Sequence, residues 1–75
     1  MNTIMSVDLS GVEQRALDAR IRNVRQAQVA IGNLLADPTS KNLFRAQKWA
    51  NFIVRELRAA KIAQARLASI NRSQP

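Results

Sequence analysis

Apolar and polar residues alternate along this chain with a helical period on both sides of a single break, Asp37-Pro38. Ahead of the break, Leu17, Ile21, Val24, Ile31 and Leu35 follow steps of three, four and seven, with Gln28 in the missing place. That is a heptad-like seam. Ala16, Ala27 and Leu34 widen it on one side, and Arg15, Arg22, Arg25 and Asn33 take the other face. Beyond the break, Leu43, Ala46, Ala50, Ile53, Leu57, Ala60, Gln64 and Leu67 form a second seam, rich in small residues. Proline lacks a backbone N–H and clashes with the preceding turn, so one helix does not run through Pro38. The pattern predicts an all-α fold, a two-helix antiparallel hairpin. It divides into an arm at 1–9, the hairpin at 10–72 and a short tail at 73–75. Helix 1 is expected at about 10–35, the turn at 36–38 and helix 2 at about 38–71.

Local signals set the expected ends. Ser10-Gly11-Val12-Glu13 has the spacing of a capping box, with Asp8 as a rival cap. Asp37 with Pro38 suits the cap and first position of helix 2, and Thr39 or Ser40 is the alternative cap. Gly32 costs a helix about 1 kcal/mol against alanine; it either loosens the last turn or admits a neighbouring backbone. Folding the chain at Asp37 sets Leu35 against Leu43, Val24 against Ile53 or Val54, Ile21 against Leu57, and Gln28 against Ala50. Glu13 falls near Lys61 and Gln64. The run Phe52-Ile53-Val54 suits a strand, but its flanks of Ala, Gln, Lys, Arg and Leu overrule that.

Size and composition turn this architecture into a need for partners. At 75 residues the chain makes one domain with a small core. There is no Cys and no His, so disulfides and thiolate or imidazole metal sites are excluded. Oligomerisation, or docking on a partner, is left as the stabiliser. Net charge is +7, and every basic residue but Arg15 lies beyond Ala19, against only Asp37 and Glu56. An acidic protein, nucleic acid or an anionic surface is the partner such a balance favours, unless the charge only keeps a small protein soluble. No segment approaches the roughly 18 apolar residues that span a bilayer. Residues 1–7 show no basic region and no long apolar stretch, so no cleavable secretory signal is read there.

Enzymatic chemistry is not expected. The serines have no His and no Lys in a Ser-x-x-Lys pattern, the carboxylates are scattered, and no Gly-rich phosphate loop exists. No catalytic, cofactor or metal residue is assigned. The informative constellation is the outer face of helix 2, where Arg45, Lys48, Arg55 and Arg66 form a basic surface. Phe52 lies within it, and Phe44, Ile62 and Ile70 lie near the same side. With Trp49 at the seam's edge, these apolar residues are the candidate interface, since a lone hairpin leaves them exposed. The competing reading is a nucleic-acid platform, with basic groups on phosphates and Phe52 on a base.

The run Gln47-Lys48-Trp49-Ala50-Asn51-Phe52-Ile53-Val54-Arg55-Glu56 resembles the second helix of type III secretion needle subunits. Asp37-Pro38 stands where those small hairpins turn, Lys61 follows Glu56 by five, and Ile70 precedes a short polar tail. The similarity covers 37–72. The chain differs in its strong basicity, in carrying Gln64 and Ala65 near a frequent Lys-Asp pair, and in lacking an early Trp-containing segment. The resemblance implies a non-enzymatic subunit of a hollow export filament, with Trp49, Phe52, Ile53, Ile62 and Ile70 packing between subunits. The expected function is thus a self-assembling hairpin subunit. Alternatives are a basic dimeric hairpin that binds nucleic acid, as a small regulatory or phage accessory protein, and a small adaptor or inhibitor of an acidic protein surface. An extracellular appendage is the expected location if the chain is needle-like, and the cytoplasm otherwise.

Overall fold

A computed structural model describes residues 9–73, with the side chain of Ser73 left aside. Helix α1 spans Leu9–Leu35 and helix α2 spans Ser40–Ser73. They pack against each other as an antiparallel hairpin, and no strand occurs among the described residues. Phe52-Ile53-Val54 is helical.

Helix α1 begins at Leu9, so Ser10 lies inside it rather than capping it. The rival cap Asp8, and residues 1–8 of the expected arm, lie outside the described residues. At the other end, the Ala36 N–H donates to the Gly32 carbonyl (3.2 Å) and the Asp37 N–H to the Leu34 carbonyl (3.3 Å). The tightened last turn satisfies carbonyls that the helix leaves open, without a left-handed residue. A Cβ added at Gly32 meets nothing within 4 Å, so no neighbouring backbone explains this glycine.

Helix α2 starts two residues later than a Pro38 start. The Thr39 N–H donates to the Asp37 carbonyl (2.8 Å), a tight turn centred on Pro38 whose fixed φ suits it. Thr39 is the cap. Its carbonyl accepts from the Leu43 N–H (2.8 Å), and its Oγ1 accepts from the Asn42 N–H (3.2 Å). Asn42 reaches back, its Nδ2 donating to the Asp37 carbonyl (2.7 Å). Asp37 serves the turn through its backbone, and the capping oxygen comes from Thr39.

The hairpin register agrees with the pairing drawn from the sequence: Ile21 and Leu57 line one groove. The partner expected for Glu13 differs. Glu13 meets Arg66, at 3.9 Å, while Lys61 and Gln64 lie beside Leu17 and Ile21.

Both helices are turned about their axes relative to the expected seams. On α2 the inward line is Asn42, Ala46, Trp49, Ile53, Glu56, Ala60, Ala63, Leu67 and Ile70, all buried or half-buried except Trp49. Leu43, Ala50, Leu57 and Gln64, the alternate positions of the expected seam, are exposed. On α1, Ala27 is completely buried whereas Ile21, Gln28 and Leu35 are exposed. Small residues explain the turn. Alanine at 27, 46, 60 and 63 lets the backbones approach closely, which leucine at the contact line does not allow. Among the described residues these four alanines are the whole buried apolar core, and no large side chain is fully buried.

The result is a rod of 57 × 17 × 14 Å. Its radius of gyration is 17.2 Å, against about 11 Å for a compact domain of this length.

Candidate interaction site

The rotation moves large apolar side chains from the seam to the flanks. Among the described residues, eleven large hydrophobic side chains are exposed, including Phe44 at 61 %, Ile62 at 54 % and Leu57 at 46 %. Singly exposed apolar side chains are ordinary on a protein surface, so the informative ones are those that gather in grooves.

On one flank Leu17, Ile21, Leu57 and Ala60 form an apolar groove, with Lys61 and Gln64 at its border. Residues on α2 that line it are turned about half a revolution from Lys48 and Phe52, so the second groove lies on the opposite flank. That second groove, of about 670 Å³, is lined by Ala30, Asn33, Leu34, Arg45, Lys48, Trp49 and Phe52. Here the rings of Trp49 and Phe52 meet edge to face, centroids 5.7 Å apart at 89°. The Lys48 ammonium lies 4.9 Å from the centre of the Phe44 ring. Each arrangement follows from spacing. Residues three and four apart are neighbours on one helix face, which sets Trp49 beside Phe52 and Lys48 over Phe44.

The candidate interface residues are thus divided. Trp49 and Phe52 lie in the basic groove with Arg45 and Lys48. Phe52 and Ile70 are half-buried by the hairpin itself, contrary to the expectation that a lone hairpin exposes them. Phe44 is exposed beneath Lys48, and Ile62 is exposed beside Ala59, Ala63 and Arg66 in a smaller hollow on the same flank. Of the basic surface, Arg66 faces Glu13, and Arg55 adds its field to Glu56.

Glu56 is the polar group that the seams did not foresee inside the hairpin. It is 6 % exposed and lies on the contact line. Asn23 Nδ2 donates to its Oε1 (2.7 Å), and Arg20 Nη1 donates to both oxygens (3.0 and 3.3 Å). The Asn23 hydrogen bond is the chief reason its carboxyl is held below the ordinary value of 4.5; burial opposes this, and Arg20 and Arg55 assist. Asn23 and Arg20 were not singled out from the sequence. The available signal was the register: with Ile21 opposite Leu57, the polar pair three residues apart on α1 comes to face Glu56. No buried side-chain nitrogen or oxygen among the described residues is left without a partner.

Among the described residues no group of three or more His, Cys, Asp or Glu is placed to hold a metal ion. No helix among the described residues is long and apolar enough to cross a membrane. Comparison with protein-family models, with curated proteins and with solved structures returns no match.

Proposed function

We propose that this chain is a non-enzymatic, self-assembling helical subunit. The observation that carries the reading is a buried apolar core that, among the described residues, is alanine alone, beside large apolar side chains left half-exposed on the flanks. Four buried alanines supply little hydrophobic stabilisation, and a chain this short has no disulfide to compensate. Packing the groove of Leu17, Ile21, Leu57 and Ala60 against another copy removes apolar surface from water and supplies what the single hairpin lacks.

The most specific version of this proposal is a needle-like filament subunit for protein export. It is supported by the likeness of 47–56 to needle subunits and by the hairpin turn at Asp37-Pro38. Apolar surface on more than one flank suits head-to-tail contacts, which extend into open helical assemblies when the rotation does not close.

Sedimentation over a wide concentration range, with electron microscopy of the concentrated sample, tests both levels. Mass that grows steadily with concentration, and rods in the images, is the expected result. A small discrete oligomer at every concentration removes the filament version. A folded monomer throughout removes self-assembly altogether.

A further inference from the structure

The groove of Arg45, Lys48, Trp49 and Phe52 has a different character from the apolar flank. Its floor is Ala30 and Leu34 with the two aromatic rings, and its rim is cationic. A second copy of this chain is a poor occupant. The chain carries +7, and its five carboxylates fall nowhere three or four residues apart, so no helix face presents a row of them. Glu13 and Glu56 are moreover engaged by Arg66 and Arg20.

We propose that this groove is the docking site for an acidic amphipathic helix of another protein. Two helices with a furrow between them accept the ridge of a third, whose apolar side chains enter the furrow. Carboxylates beside that ridge come within reach of Arg45 and Lys48, and of Arg55 further along the same flank. Like charges on wrong partners are rejected by the same rim. Nucleic acid fits less well. The floor of Ala30 and Leu34 suits apolar side chains, and Phe52, the ring expected to stack on a base, is half-buried.

Trp49 is the single tryptophan of the chain and lines the groove, so its fluorescence reports occupancy. The probe is a synthetic amphipathic helix with leucine at its a and d positions and glutamate elsewhere. The titration is run at a protein concentration where sedimentation shows one unchanging species. The expected result is a saturable blue shift of Trp49 emission that weakens with salt. Joint replacement Arg45→Gln and Lys48→Gln should weaken binding about tenfold, as the loss of two exposed ion pairs implies. Arg58→Gln, at an exposed position, should leave it unchanged. Charge reversal, Arg45→Glu with Lys48→Glu, should transfer binding to the same peptide carrying lysine for glutamate, with helicity retained by circular dichroism. The proposal is overturned if polyglutamate binds as well as the amphipathic peptide, or if the lysine peptide binds the unaltered protein equally. It is overturned too if a single-stranded oligonucleotide displaces the peptide from Trp49, if the Gln variants bind undiminished, or if no saturable shift occurs.

Discussion

Glu56 accepts from Asn23 at 2.7 Å and from Arg20 at 3.0 Å while almost withdrawn from solvent. Its carboxyl is held below the ordinary value, first by the Asn23 hydrogen bond. A depressed acid stabilises the fold fully above the unfolded value near 4.5, and that contribution disappears as pH falls through the folded value. Thermal melts between about pH 6 and pH 3 should therefore show the melting temperature dropping on acidification. Glu56→Gln should flatten the profile in that window. Asn23→Ala should move the Glu56 titration, followed by NMR, up toward the ordinary value. At the turn, Thr39→Ala should cost about 1 kcal/mol in denaturant unfolding, the usual loss of a cap. Gly32→Ala should add about 0.5–1 kcal/mol, because the new methyl group meets nothing and the helix gains propensity. The cap and the glycine were both readable as local patterns, although the choice among Asp37, Thr39 and Ser40 was not. These three residues, within four positions, can each offer a capping oxygen, and only the backbone path around Pro38 decides which one reaches the open N–H groups.

At the scale of the element, each helix keeps the length its pattern implies but presents a different line to its neighbour. Alternation by three and four leaves the stripe free to turn by about one residue, which is 100° for half of its members. Placing Leu43 and Leu57 at the centre buries more apolar area per side chain. Placing Ala27, Ala46, Ala60 and Ala63 there brings the backbones together and admits Asn23 and Glu56 as a satisfied polar pair. The two lines make opposite predictions for one pair of variants. Ala27→Leu should destabilise by about 1–3 kcal/mol, through overpacking at a fully buried site. Ala50→Leu, at an exposed position, should stay within about 0.5 kcal/mol. Chemical denaturation of both measures the difference. The Glu13–Arg66 pair, at 3.9 Å and largely open on the arginine side, adds little to either helix.

For the whole molecule, the rod shape and the small core limit what one hairpin can bury, and under the proposed self-assembly other copies supply the remaining stability. If copies bind only the folded form, mass action raises the melting temperature with protein concentration. Dilution series followed by circular dichroism should show that rise. Leu57→Asp should abolish it, since a carboxylate is set into the apolar groove while the buried line of α2 is untouched. The same variant should keep the Trp49 response to an acidic peptide, because that groove lies on the other flank.

Two helices, their break at Asp37-Pro38 and their antiparallel register were settled along the chain itself. Apolar period and proline geometry are local properties, and a short turn leaves two helices few ways to pair. Which residues face inward was decided by the tertiary structure. The choice depends on how closely two backbones can approach, and that depends on residues from both helices at once. Ala27 and Ala60 make room, Glu56 is tolerated there because Asn23 and Arg20 arrive opposite it, and Leu57 and Trp49 are consequently turned toward the flanks.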